Sequence, residues 1–191
     1  MALAIPPKLR ELEIGVMSAE SLSEKTCALL IDLHKDSRNE AVQGRIQHDN
    51  ENVVEMKVRQ TEVFVIDEHF WWVDEMIVNC AIEANKQFNF NLTGLLERPQ
   101  LLKYTAPSQG YDWHLDIGLG DSSTRKISIS ILLNDDYKGG DLAFFTNGES
   151  HINPDKGTAV AFPSYLPHRV TPLTEGTRWS LVCWIAGEPF R

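Results

Sequence analysis

The sequence predicts a mostly β protein with flanking helices, built as a two-sheet sandwich or jelly roll. Three observations predict it. From about Arg98 onward, short runs of alternating apolar residues recur roughly every 8–12 positions between Gly, Pro, Asn and Asp turn signals. The run Ile127 to Leu133 puts Ile127, Ile129, Ile131 and Leu133 on one face and Ser128, Ser130 and Leu132 on the other, the period of a strand. Helical spacing, by contrast, is confined to the first half of the chain.

Taken in order, residues 1–17 read as an irregular lead-in. Ser21-x-x-Glu24 has the pattern of a capping box, and Leu22, Thr26, Leu29, Leu30 and Leu33 recur at helical spacing to about Lys35. Residues 36–52 are polar and predict a loop; 53–58 and 61–66 predict strands. Asp67 is placed to cap a second helix whose buried face is Phe70, Val73, Ile77, Cys80 or Ala81, Ala84 and Phe88. Trp71 and Trp72 are adjacent, so both cannot face one core. Gln100 to Thr105, Tyr111 to Asp116, Leu142 to Thr146, Thr158 to Phe162 and Arg178 to Ile185 complete the strands. Asn147-Gly148 is a hairpin signal. The helices of the first half are expected on the outer face of one sheet. No repeat or linker divides the chain, so 1–191 reads as a single domain, with 1–97 supporting a core at 98–191.

Composition narrows the class. The chain has 191 residues, enough for a sizeable core. A net charge of −9 disfavours a nucleic-acid phosphate backbone as partner. No run of about 18 apolar residues exists, so no membrane span is expected. Cys27, Cys80 and Cys183 are odd in number and far apart, and the N-terminus lacks a signal-peptide layout. Reduced, buried thiols and a cytoplasmic location follow as the expectation.

The stretch Tyr111-Asp-Trp-His-Leu-Asp116 carries the chemistry. On a strand His114 and Asp116, two apart, point the same way, so an imidazole and a carboxylate converge. With a second histidine they would make the 2-His-1-carboxylate set of non-haem iron oxygenases, and His168 is the candidate. Ligand type alone does not fix the metal. Ten residues on, Arg178, Ser180, Val182 and Trp184 share one strand face, opposite Trp179, Leu181, Cys183 and Ile185. An arginine directed into a barrel is costly unless it meets an anion, and a guanidinium beside a hydroxyl suits a small dicarboxylate. The competing reading of Arg178 is a structural salt bridge. Trp113 alternates away from His114, toward a core. His34 and His151 read as surface residues, and His69 as surface or core, none of them a metal ligand.

These residues resemble the iron- and 2-oxoglutarate-dependent dioxygenases, nearest the prolyl 4-hydroxylase-like subgroup with its bacterial PKHD-type hydroxylases. The likeness lies in His114-x-Asp116, in His168-Arg-Val-Thr-Pro-Leu-Thr-Glu-Gly-Thr-Arg178-Trp, and in Asn134-Asp-Asp-Tyr-Lys-Gly-Gly-Asp141. It covers roughly residues 100–190, and nothing before that resembles anything specific. The resemblance implies a double-stranded β-helix (cupin-like jelly roll), with Fe(II) at His114, Asp116 and His168. It implies 2-oxoglutarate at Arg178, Ser180 and Tyr104, O2 as the other co-substrate, and ascorbate as a possible reductant. Tyr111 is the candidate substrate contact. Leu132 stands where some relatives have a second tyrosine, which would leave the co-substrate pocket more apolar. The implied reaction hydroxylates an unactivated C–H bond, releasing succinate and CO2. The implied substrate is a prolyl or similar residue in a peptide or protein, or a free amino acid. Asp116 favours hydroxylation over halogenation, which needs a small residue there. Two alternatives stand beside it. A nucleic-acid demethylase of the same fold is disfavoured by the acidic charge and the single arginine; a non-catalytic metal-binding jelly roll is the other.

Overall fold

The computed structural model describes residues 10–11, 17–20, 22–43, 46–48, 51–53 and 61–189. The first half opens with β1 (Arg10–Glu11), β2 (Met17–Glu20) and α1 (Glu24–Asp32). Then come β3 (Glu40–Gln43), β4 (Ile46–His48), β5 (Glu51–Val53), β6 (Glu62–Val65) and α2 (Trp71–Phe88). The second half holds β7 (Leu92–Leu95), β8 (Gln100–Thr105), β9 (Tyr111–His114), β10 (Arg125–Leu132) and β11 (Tyr137–Gly139). It ends with β12 (Leu142–Phe145), β13 (Glu149–Ile152), β14 (Thr158–Pro163), β15 (His168–Val170) and β16 (Leu173–Gly187).

Two antiparallel sheets form the core architecture among the described residues. The larger runs β1-β2-β14-β10-β16-β8-β6-β3, with β7 and β11 also pairing with β16; the smaller runs β13-β12-β15-β9. This is the jelly-roll arrangement that the strand spacing predicts. Alternation along β10 and β16 works as expected. Ile127, Ile129 and Ile131 with Trp179, Leu181, Cys183 and Ile185 face outward and are covered by Cys27, Leu30, Val73, Ile77, Ala81 and Ala84 of the two helices. The other face, with Ser128, Ser130, Arg178, Ser180 and Trp184, lines a cavity.

The helices form for local reasons. The α1 N-cap is Ser23, whose hydroxyl accepts from the Thr26 N–H at 3.2 Å; Ser21, the expected cap, lies outside the described residues. Asp67 caps the entry to α2 by accepting from the His69 N–H at 2.9 Å, through a 3-10 turn at Glu68–Phe70. Asn89, at φ 56°, takes the left-handed position that ends α2. Val73, Ile77, Cys80, Ala81 and Ala84 are the buried face, as the spacing predicts.

Several expectations are corrected. Residues 36–52 are not all loop: β3 pairs with β6, and β4 with β5. Their polar composition hid edge strands, whose pairing depends on distant residues. The strand expected over 53–58 begins only where β5 ends, and residues 54–60 lie outside the described residues. The last strand runs 15 residues, not eight, because its first part pairs with β11 beyond the apolar stretch. Trp113 is 36% exposed, not core; it meets Phe145 edge-on and lies under Arg169. His34 is half-buried, its ring centred 4.9 Å from that of Trp179. Among the described residues no helix is long and apolar enough to cross a membrane.

All three cysteines are buried and unlinked. Burial pushes the Cys80 thiol up to about 11 and that of Cys183 up to about 12. The native protein at pH 8 should therefore resist Ellman's reagent, and all three thiols should react after unfolding in guanidinium. Leu181, fully buried between β16 and the helices, sets the core's sensitivity. Leu181→Ala should cost about 2–5 kcal/mol, read as a lowered urea midpoint at unchanged slope.

Candidate metal centre

Antiparallel pairing of β9 with β15 places His168 directly opposite His114. Facing residues on neighbouring strands bring their side chains together, and the two ring centroids lie 4.1 Å apart. Each ring is oriented from behind. His114 Nδ1 donates to the Asp112 carbonyl at 2.7 Å, and His168 Nδ1 donates to the Leu166 carbonyl at 2.9 Å. A carbonyl only accepts, so a neutral ring must carry its proton on Nδ1 and its lone pair on Nε2. Both Nε2 atoms face Asp116: His114 Nε2 is 3.7 Å from Oδ1, and His168 Nε2 is 3.4 Å from Oδ2.

Among the described residues these three form the one group of histidine, cysteine or acidic side chains able to share an ion, with donor atoms within 4.8 Å of one another. Two imidazole nitrogens and a carboxylate oxygen, presented on adjacent strands, fit a divalent transition metal. Burial pushes the Asp116 carboxyl up, but the positive charge that the His168 and His114 imidazoles carry when protonated, with hydrogen bonding from Ser128 and Trp184, outweighs it. The group is held below the ordinary carboxylate range, so it stays ionised as a ligand must.

Asp116 itself lies beyond the end of β9, which stops at His114. The same-face argument from strand alternation therefore reaches the right pair by a geometry that only half applies. The chain here is tied instead to Ser164, whose carbonyl accepts from the N–H groups of Asp116 and Ile117 at 3.0 and 3.2 Å.

The triad shares a cavity of about 500 Å³ with Arg178, Ser180 and Tyr104 on the larger sheet. Arg178 is 3% exposed and sits opposite Tyr104 across the β16–β8 pair. Its Nη1 donates to Ser180 Oγ at 2.9 Å. The salt bridge considered as its alternative role does not form: among the described residues no carboxylate pairs with it. Its Nε and the Tyr104 hydroxyl are buried, with no hydrogen-bond partner among the described residues. A buried cation without a counter-ion, next to an orphan hydroxyl, fits an anionic guest. Tyr111 lines the same cavity but stacks on the His114 ring, 3.6 Å between centroids, so it braces a triad residue. Leu132 does not line this cavity.

Sequence reasoning missed several contributors. Arg178 hydrogen-bonds the Tyr137 phenol, whose pKa burial pushes up while the guanidinium opposes the rise. Gly140, at φ +70°, leaves the room Arg178 occupies: a Cβ there would lie 2.8 Å from Arg178 Cδ. The Gly139-Gly140 pair was legible as a turn, but not as clearance for a side chain. Ser128 Oγ donates to Asp116 Oδ2 at 2.5 Å, and its inward position was readable from the alternation of β10.

Comparison with known proteins follows the same lines. Residues 99–186 match the model of the 2OG-Fe(II) oxygenase superfamily. A PKHD-type hydroxylase of Alteromonas mediterranea is 32% identical over 96 residues, covering 46% of this chain and 42% of that protein. One from Psychrobacter is 31% identical over 123 residues, covering 58% and 48%. The chain thus spans about half the length of the curated relatives it matches. In fold it is similar to a Pseudomonas putida prolyl-4-hydroxylase, with a TM-score of 0.71 and 22% identity over 92% of this chain and 94% of that one. It is equally similar to a Trichoplax adhaerens prolyl hydroxylase solved with a hypoxia inducible factor peptide fragment, at TM-score 0.71 and 19% identity over 92% and 84%.

Among the described residues the triad predicts one divalent-ion site. His114→Ala or His168→Ala should each weaken Co(II) binding by more than the roughly 10–100-fold typical of losing an outer supporting residue. Anaerobic titration checks this.

Proposed function

We infer from residues 99–186, which match the model of the 2OG-Fe(II) oxygenase superfamily, that this chain is an Fe(II)- and 2-oxoglutarate-dependent hydroxylase. The observation that carries the reading is the joint placement in one cavity of the His114, Asp116 and His168 donors and a buried Arg178 without a carboxylate partner among the described residues. The first group suits a ferrous ion, and the second suits the distal carboxylate of a keto-diacid.

Each residue has a task in this reading. His114, Asp116 and His168 hold the iron. Arg178 grips the distal carboxylate of 2-oxoglutarate, while Ser180, itself hydrogen-bonded to Arg178, and the Tyr104 hydroxyl add hydrogen bonds. Tyr137 and Gly140 keep the guanidinium in place. Ferrous iron, when bound, supplies the coupling of O2 reduction to oxidative decarboxylation of 2-oxoglutarate, giving succinate and CO2. The protein supplies orientation and a sheltered space, with the Leu102 and Val182 side chains among its apolar walls. About 500 Å³ suffices for a small dicarboxylate and the side chain of a second substrate. We propose a prolyl or similar residue, in a peptide or protein or as a free amino acid, as that substrate. The support is the likeness to prolyl hydroxylases, one of them solved with a peptide. Residues 98–191 then form the catalytic part of a single domain that 1–97 buttresses.

Succinate production from 2-oxoglutarate, dependent on Fe(II) and O2, tests the proposal directly. Arg178→Lys should raise the 2-oxoglutarate KM by about 10–100-fold, since it replaces a forked charged contact worth about 1.5–3 kcal/mol with a point charge. Gly140→Ala should raise the same KM by crowding Arg178, with little change in metal affinity. A chain that binds iron but never consumes 2-oxoglutarate would instead be a binding module.

A further inference from the structure

We infer that a relay of two buried hydroxyls, Ser164 to Ser128 to Asp116, acts with the Trp184 indole to hold Asp116 as a one-oxygen metal ligand. Ser128, Ser164 and Trp184 are then positioning residues for the centre. The inference rests on the metal-centre reading above.

The need arises from the backbone. Strand pairing fixes both histidines, but β9 ends at His114 and offers Asp116 no ladder. The main chain at 116 is pinned, by the bonds to the Ser164 carbonyl and by Arg125 Nη1, which donates to the Asp116 carbonyl at 2.9 Å. None of these bonds constrains the carboxylate, which can still turn about two side-chain torsions.

The hydroxyls constrain it, and their direction follows from hydrogen counting. An ionised carboxylate only accepts, so Ser128 donates its single proton to Oδ2 at 2.5 Å. Ser128 Oγ also lies 3.0 Å from Ser164 Oγ, and with its own proton committed it must accept there from Ser164. Ser128 is 2% exposed and Ser164 0%, so neither finds bulk water as a substitute partner. Trp184 lines the same cavity as Asp116, and its indole, able only to donate, helps hold that carboxyl below its ordinary range. Trp184 is itself fixed, with the Arg125 guanidinium 4.0 Å from its ring centre and Arg125 Nε bonded to Glu97 at 2.9 Å.

Four residues on three elements thus converge on Asp116: β10 gives Ser128 and Arg125, β16 gives Trp184, and the turn after β14 gives Ser164. A carboxylate engaged in this way on its protein side presents one oxygen to an ion rather than chelating with both. That keeps coordination positions open for a bidentate co-substrate and O2.

The test is an anaerobic Co(II) titration of the parent chain and of Ser128→Ala, Ser128→Thr and Trp184→Phe, each folded by circular dichroism, alongside 2-oxoglutarate KM and kcat. We expect Ser128→Ala and Trp184→Phe to weaken Co(II) binding by about 10–100-fold. Ser128→Thr, which keeps the hydroxyl, should recover most of that loss. The 2-oxoglutarate KM should rise in Ser128→Ala as the freed carboxylate competes for a position. A merely structural role would lower thermal stability and leave Co(II) affinity unmoved. Should Ser128→Ala not fold, Trp184→Phe decides, since it keeps the ring and removes only the N–H. Tight Co(II) binding by the parent with equal binding by Ser128→Ala and Trp184→Phe overturns this inference alone. A parent that binds no divalent ion overturns both the inference and the reading beneath it.

Discussion

The cross-strand register between β9 and β15 is the constraint on which the site depends. It sets His114 against His168 with no loop between them, so the spacing of two donors is fixed by backbone hydrogen bonds rather than by side-chain choice. A one-residue slip would turn one imidazole to the opposite face and dissolve the site. The outer face of the same small sheet shows what the alternative looks like: Trp113 and Arg169, one position away from the two histidines, stack on each other in solvent.

The second constraint is the division of labour between the faces of the larger sheet. Its outer face is apolar and sealed by α1 and α2, which anchors β10 and β16. Its inner face can therefore be polar. Arg178, Ser180, Ser128 and Ser130 face inward on strands whose stability comes from the other side. Burying a guanidinium without a counter-ion costs free energy, and a fold tolerates this where a ligand restores the balance. The orphan Arg178 Nε and Tyr104 hydroxyl locate that cost beside the triad.

Much of this was legible in the sequence because β alternation is local. The inward set Arg178, Ser180, Val182, Trp184 and the outward set Trp179, Leu181, Cys183, Ile185 follow from the period alone. The pairing of His168 with His114, 54 positions away, does not; it came from residue types and a resemblance, and the register supplies its cause. Trp113 was misplaced because alternation says which residues share a face, not which face meets the core. The polar stretch after α1 hid edge strands, and the Ser23 cap was overlooked for a stronger-looking box two residues earlier. Gly140, Tyr137 and Arg125 act through space on residues far off in the chain, and no spacing rule reaches them.

Joint presence of iron and a keto-diacid in one cavity is the central claim, and optical spectroscopy reads it most directly. Under anaerobic conditions, Fe(II) and 2-oxoglutarate added together should produce a weak visible charge-transfer band that neither produces alone, because the band requires the keto-acid to chelate the ion. Purified protein holding zinc in a closed four-ligand site, with no band on adding Fe(II) and 2-oxoglutarate, would contradict the account.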